Sequence, residues 1–200
     1  MRRSQINADS LDLDERVINL NKCQKTHKGG RTLSWSALVV VGDRRGHVGV
    51  ALGKARGIPD AIRKGMEIAR RSLMKAPLAG TTIPHAITVE CGAARVMLKP
   101  ASEGTGVVAG GAVRAILESV GVRDVLAKSL GSSNPINNAW ATLKALRSLE
   151  TPETVAARRG VDPDSLRLRP RRVAVAAGTE VEETTEEAAD DAGENQNNSD

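Results

Sequence analysis

The residues best placed to do chemistry in this sequence are cations grouped around glycines. Lys22 and Lys25 lead into Lys28-Gly29-Gly30-Arg31, and Gly53-Lys54-Ala55-Arg56 leads into a run rich in Arg and Lys. That chemistry is charge neutralisation rather than bond making. Lys and Arg displace counterions from a nucleic-acid backbone, and adjacent glycines let the main chain come close to another surface. The first loop reads equally as an ordinary hairpin connection with basic side chains, because loop composition alone does not separate the two. The second run says more. It opens a predicted helix, whose N-terminus would offer free N–H groups and a positive dipole end to a phosphate.

Other constellations are poor candidates for catalysis. Gly104-Thr105-Gly106-Val107-Val108-Ala109-Gly110-Gly111 is glycine-rich, but its spacing is neither that of a dinucleotide fingerprint nor that of a P-loop. Leu130-Gly131-Ser132-Ser133 raises the same suspicion. Both read as tight strand-to-helix connections. Glu103, Glu118 and Asp124 lie nearby without a histidine or a recognisable acid/base pairing. Cys23 and Cys91 are far apart, and His27, His47 and His85 offer no zinc spacing. No cofactor and no metal site are expected, and the cysteines read as small buried or half-buried thiols.

The elements that must position these residues follow from hydrophobic periodicity. Val17–Gln24 reads as a strand and Lys25–Arg31 as a turn. Leu33, Trp35, Ala37, Val39 and Val41 alternate along a long second strand, and Val48, Val50 and Leu52 along a third. A helix is predicted over 58–75, with Ile58, Ala61, Ile62, Met66, Ala69 and Leu73 toward the sheet. Arg63, Lys64, Arg70, Arg71 and Lys75 fall on another side of it. Residues 76–82 read as a linker. A second unit follows: strands over 86–91 and 95–99, a helix ending near Val120, and a short strand over 125–130. A helix then opens at Asn134-Pro135 and buries Ile136, Ala139, Trp140, Leu143 and Leu146. A last short helix covers 154–159.

Composition narrows the partner. The 200 residues contain no Phe, no Tyr and two Trp, which leaves almost nothing for a base-stacking platform of the kind single-stranded RNA readers use. The net charge of +5 is unevenly spread. Residues 21–75 hold 13 basic and 3 acidic groups, residues 76–157 hold 7 and 6, and residues 179–200 hold no basic and 9 acidic groups. Such local excess points to a polyanion partner. The acidic end reads as a disordered tail, with competition against RNA for the basic surface as a second reading. No apolar run approaches a membrane span or a secretory leader, so no membrane association is expected, and the chain reads as cytoplasmic.

At this point the residues resemble a known family. Lys25-Thr26-His27-Lys28-Gly29-Gly30-Arg31, Val40-Val41-Gly42-Asp43, Gly53-Lys54-Ala55-Arg56, Pro59-Asp60-Ala61-Ile62 and Ala69-Arg70-Arg71 are similar to bacterial small-subunit ribosomal protein five. So are Lys99-Pro100-Ala101-Ser102-Glu103-Gly104-Thr105-Gly106, Ala109-Gly110-Gly111-Ala112-Val113-Arg114, Asn134-Pro135-Ile136-Asn137 and Val155-Ala156-Ala157-Arg158-Arg159-Gly160. The likeness covers about residues 15–160. His27 stands where an aliphatic residue is common, and nothing carries over to residues 165–200.

The resemblance implies an α+β chain. Its parts would be an arm (1–14), a β-β-β-α domain like a double-stranded-RNA-binding domain (15–78), an α/β domain of the type shared with GHMP kinases (79–160), and an irregular, acidic extension (161–200). It implies a non-enzymatic constituent of the small ribosomal subunit, bound to rRNA where head meets body and touching small-subunit proteins four and eight. Contact with protein four would bear on decoding accuracy. Changes in the loop 25–31 give spectinomycin resistance in the family. Basic residues of the family also lie near the path of mRNA, with none assigned to this sequence. The expected rRNA-binding residues are Lys22, Lys25, Thr26, Lys28, Gly29, Gly30, Arg31, Arg44, Arg45, Lys54, Arg56, Lys64 and Arg71. Gly104, Gly106, Gly110, Gly111 and Arg114 are expected to face protein. Rival readings are a free-standing regulator that binds double-stranded RNA and a GHMP-type small-molecule kinase.

Overall fold

A computed structural model describes residues 11–162 and Leu166. Of the predicted arm (1–14), residues 1–10 lie outside the described residues, while Leu13 packs against the core under the first helix and Asp14 already begins the first strand. The irregular stretch and acidic tail also lie outside the described residues, apart from residues 161, 162 and 166. Within the described chain the order is β1 (Asp14–His27), β2 (Gly30–Gly42), β3 (His47–Ala55), α1 (Ile58–Arg71), β4 (Met74–Lys75), β5 (Ile87–Cys91), β6 (Ala94–Pro100), β7 (Val107–Val108), α2 (Gly111–Val120), β8 (Val125–Ser129), α3 (Pro135–Arg147) and α4 (Pro152–Arg159). Two four-stranded sheets result. The first runs β1-β2-β3-β4 and the second β5-β6-β8-β7. Every pairing is antiparallel except β7 with β8.

The first sheet is covered on both faces over its inner half. Ala37, Val39, Val41 and Ala51 pack under α1. Their neighbours of opposite parity, Leu38, Val40, Val48 and Val50, pack in a core shared with the second sheet and with α2 and α3. Strands buried on both faces read as nearly continuous apolar runs, which is how residues 37–41 read.

α1 lies unusually close to β3 because small residues meet there. Ala61, Gly65 and Ala69 are its buried positions. A Cβ at Gly53 would sit 2.0 Å from the carbonyl oxygen of Ala61, and one at Gly49 would sit 2.2 Å from that of Ala69. The predicted apolar stripe therefore needs correction. Ile62 and Met66 sit at the rim and Ile58 is exposed, since no room remains for large side chains between helix and strand. The helix also ends earlier than expected. The Ser72 N–H bonds to the carbonyls of Ile68 and Ala69, and the Ser72 hydroxyl to that of Ala69. The chain then turns, and Met74–Lys75 pairs with β3 as a fourth strand. Residues 76–82, read as a linker, are held against the fold: the Ala76 N–H bonds to the Gly46 carbonyl, and Ala79 bridges Thr82.

In the second half the predicted strands and helices occur within a residue or two. Asn134 caps α3 by accepting from the Ile136 N–H at 3.1 Å, and Thr151 caps α4. Trp140, expected in the core, is 41% exposed. The buried residues of α3, Asn138, Ala139, Ala141, Thr142, Leu143, Ala145 and Leu146, span roughly 200° of the helix at ~100° per residue. Trp140 shares the remaining side with Lys144. Cys23 and Cys91 are half-buried and unpaired.

The two halves meet where the β2–β3 turn lies across the end of α2. The Arg44 N–H donates to the Ser119 carbonyl at 3.0 Å and the Gly46 N–H to the Val120 carbonyl at 2.8 Å. The Leu117 and Glu118 carbonyls accept from Gly121 and Val122 N–H groups, with Gly121 in the left-handed conformation at φ 98°. The orphan acceptors of a helix C-terminus are thus all satisfied. Approach is tight. A Cβ on Gly121 would meet the Arg44 oxygen at 2.0 Å, and one on Gly42 the Ser119 oxygen at 2.3 Å.

Asp43 shapes the turn. Its Oδ1 accepts from the Arg45 N–H at 2.7 Å and the His47 N–H at 2.9 Å, and its Oδ2 lies 2.6 Å from His47 Nδ1. Arg44 is held at φ 56°, a conformation that a long side chain seldom adopts. Burial pushes the Asp43 carboxyl up, but the Arg45 N–H, the His47 ring and the His47 N–H outweigh it and hold it below the ordinary carboxylate range.

Two outcomes follow. Gly121→Ala combines backbone strain with a clash and should lose at least ~2 kcal/mol in urea unfolding, whereas Gly29→Ala, with open space and an ordinary φ, should change stability by less than ~0.5 kcal/mol. A carboxyl more acidic in the folded state contributes stability that is complete above its unfolded value near ~4 and is lost as pH falls through the folded value. Unfolding free energy should therefore be level from about pH 7 to 5 and drop below about 4. Asp43→Asn should flatten part of that drop.

Candidate nucleic-acid interface

β3 stops where Ala55 pairs with Trp35, but the β1–β2 hairpin continues. Five further residue pairs, Cys23 with Ser34 through His27 with Gly30, project as a two-stranded ribbon, roughly 17 Å long at ~3.4 Å per residue. The predicted turn 25–31 is shorter than expected. Lys25, Thr26 and His27 belong to β1, Gly30 and Arg31 to β2, and only Lys28 and Gly29 make the turn. Every residue from Gln24 to Leu33 is exposed.

Strand pairing distributes the charge. Residues directly opposite share a face. Lys22 opposes Trp35 and Arg31 opposes Thr26, on the side that carries α1. Lys25 opposes Thr32 and Lys54 opposes Ser36, on the other side. Lys28 sits at the tip. The ribbon is thus cationic around its circumference. Arg56 follows β3, and Lys64 lies on the outer surface of α1, both exposed.

The predicted cations fall into two groups. Among the described residues, Lys22, Lys25, Lys28, Arg31, Arg45, Lys54, Arg56 and Lys64 make no ion pair. Arg44 pairs with Asp14 at 2.6 Å, and Arg71 pairs with Glu67. Both of these pairs are exposed and each contributes ~0–1 kcal/mol, so either cation can exchange its carboxylate for a phosphate at small cost. Arg70, which the helical spacing places on the basic side of α1, is held by Glu15 at 2.7 Å.

Residues expected to face protein lie in two places. Gly104 and Gly106 adopt φ 87° and 75°, in the loop before β7. That loop wraps Asp124, whose carboxylate accepts from the Gly106 N–H at 3.0 Å. The Gly106 N–H and then the Thr81 hydroxyl hold the Asp124 carboxyl below its ordinary range. Gly110 and Gly111 start α2. Arg114 bonds to Glu118 at 2.8 Å, and Glu118 also takes Arg16 of β1 at 2.6 Å. Arg114 first and Arg16 second hold that carboxyl low.

One surface was missed from sequence. The outer face of the second sheet exposes Arg95, Lys99, Val108, Leu126 and Lys128. Lys99 opposes Leu126, and Val108 adjoins it on the other side. The signal was the strict alternation of Arg95, Val96, Met97, Leu98 and Lys99, overlooked because this half is nearly neutral in total. Among the described residues no cluster of His, Cys, Asp or Glu could hold a metal. Among the described residues no helix is long and apolar enough to cross a membrane.

Comparison with known proteins decides the family. The model for the N-terminal domain of ribosomal protein S5 matches residues 13–77, and that for the C-terminal domain of the same protein matches residues 89–159. The small ribosomal subunit protein uS5 of Chloroflexus aurantiacus is 47% identical over 172 residues, covering 86% of this chain and 97% of that protein. The chain belongs to the ribosomal protein S5 family. The S5 family is structural, and the chain is not an enzyme, so the glycine loops that could suggest a kinase are parts of an S5 fold. The ribbon tip falls within the N-terminal S5 match and the Gly104–Gly111 loops within the C-terminal one.

Since the ribbon cations lack ion-pair partners among the described residues, Lys25→Ala, Lys28→Ala and Arg31→Ala should each alter unfolding free energy by less than ~0.5 kcal/mol in urea titration.

Proposed function

We propose that this chain is a structural constituent of the cytoplasmic small ribosomal subunit, and that the β1–β2 ribbon and the cations beside it hold rRNA by its phosphates. Lys22, Lys25, Lys28, Arg31, Lys54, Arg56 and Lys64 supply charge, with Arg44, Arg45 and Arg71 beside them. Thr26 adds a hydroxyl, and Gly29 and Gly30 let the tip approach the backbone closely. The observation that carries this reading is the ribbon: it projects beyond the third strand, with cations on both faces and at its tip and, among the described residues, no carboxylate paired with them. Helical RNA is read by shape, 2′-hydroxyl and phosphate, which suits a surface with so few aromatic residues.

The finer assignment rests on the S5 family. The chain sits where head meets body, and its second half, near neutral in charge, docks on small-subunit proteins four and eight. The Gly104–Gly106 loop and Arg114 belong to that protein-facing side, and contact with protein four contributes to decoding accuracy. The tip at Lys28-Gly29-Gly30 is the part whose alteration changes spectinomycin sensitivity. Any contact with mRNA would come from basic residues not identified among those above.

The test is direct. Wild-type chain binds a small-subunit rRNA fragment with a steep salt dependence. Each of Lys25→Ala, Lys28→Ala and Arg31→Ala lowers the slope of log affinity against log salt by about one unit, with little dependence on RNA sequence. In cells the chain sediments with small subunits, and the Lys28→Ala/Arg31→Ala double variant slows subunit assembly or shifts spectinomycin sensitivity. Unchanged slopes would remove the ribbon from the interface. A chain that stays at the top of the gradient would instead fit a free-standing RNA-binding regulator.

A further inference from the structure

Two features of the second half have no explanation among the described residues. The first is the pair Gly110-Gly111 at the start of α2. Gly110 has φ −70°, neither residue is among the positive-φ glycines, and a Cβ on either would meet nothing within 4 Å. Neither backbone conformation nor internal packing requires glycine here. No side chain caps α2 either, so its first N–H groups, on Gly111, Ala112 and Val113, have no acceptor among the described residues.

The second feature is Asn138, on the first turn of α3. It is 8% exposed, and its Oδ1 accepts from the Ser129 hydroxyl at 3.0 Å. Its amide nitrogen has no hydrogen-bond partner among the described residues. Asn138 and the α2 N-terminus line one cleft of about 640 Å³, which Ser132 and Ser133 border and to which no charged side chain contributes. Donors open to solvent and without a partner among the described residues therefore line one cleft from two elements, and glycine keeps its mouth open.

We propose that this cleft takes a phosphodiester group of the rRNA backbone, as a second phosphate site separate from the cationic ribbon, so that Gly110 and Gly111, expected to face protein, face RNA instead. The inference rests on the RNA-binding function proposed above. Helix N-terminal N–H groups bind anions through hydrogen bonds and the helix dipole. A tetrahedral phosphate has enough oxygens to meet the α2 N–H groups and the Asn138 amide together. The lack of any lining cation favours a singly charged phosphodiester over a nucleoside triphosphate, whose charge would stay unbalanced there. The two unexplained glycines let the sugar–phosphate chain lie against the main chain.

The experiment fills the site from within. Gly110→Ser and Gly110→Asp each place a capping oxygen on the orphan N–H groups, so both full-length variants should melt at or above the wild-type temperature. Both should bind the rRNA fragment about tenfold more weakly, with the salt slope lower by about one unit. Gly111→Ala, which adds a methyl group at the mouth, should weaken binding without altering stability. Weakening by Gly110→Asp but not by Gly110→Ser would mean simple charge repulsion and would overturn the site. Wild-type RNA affinity in all three, with Lys28→Ala/Arg31→Ala still weakened, would overturn the site and leave the ribbon intact. If the ribbon variant also bound normally, the RNA reading itself would fall. Calorimetry with inorganic phosphate and with ATP completes the test. Micromolar binding of either, lost in Gly110→Ser while RNA affinity holds, would assign the cleft to a small phosphate compound and contradict the proposal.

Discussion

The rest of the structure depends on how the last carbonyls of α2 are satisfied. A helix end without acceptors' partners is costly to bury, and this one is buried. The donors come from the β2–β3 turn in the other half of the chain, through the Arg44 and Gly46 N–H groups. Such an exchange works only at main-chain contact distance, which Gly42 and Gly121 permit. The Asp43 carboxylate keeps the turn in the one shape that presents those donors. Once that contact is made, Leu38, Val40, Val48 and Val50 have Ile116, Leu117 and Val120 to pack against. Two sheets then share one core, and Arg16 reaches Glu118 across them.

That shared core anchors the ribbon. A two-stranded hairpin alone is marginal in water, but the inner half of β2 is buried on both faces and β1 is paired along it. The outer five pairs can therefore hold cations in place without contributing to the core. Ordering the ribbon in advance reduces what RNA binding would otherwise lose in chain entropy. Charge and packing are thus separated along the same two strands. Ribbon substitutions act on binding, and substitutions near Gly42, Asp43 or Gly121 act on the body that carries it.

Much of this was legible in the sequence, for physical reasons that differ by residue. Alternation found β2 and β3, Asn134-Pro135 found α3, and the glycine–cation runs pointed to the ribbon proposed as the RNA-binding surface. What escaped depended on tertiary contact. Periodicity put Ile58 against the sheet, because it weighs hydrophobicity and not the small-residue contact of Gly49 and Gly53 with α1. It put Trp140 in the core, because a helix buried over so wide an arc by Ala and Thr leaves its largest side chain outside. The turn of Met74–Lys75 into a fourth strand depends on the Ser72 cap and on β3 being free to pair. Pairing of Arg44 and Arg71 with Asp14 and Glu67 cannot be read from composition, and neither can the continuity of the core between the two sheets.

The central claim is that the ribbon, fixed on this body, holds rRNA by its phosphates. A structure of the small ribosomal subunit containing this chain tests it most directly. The account predicts Lys25, Lys28 and Arg31 within ~4 Å of rRNA phosphate oxygens, on a ribbon that keeps the β1–β2 register seen here. A ribbon pointing into solvent, or lying against protein with those cations bound to carboxylates, would contradict it.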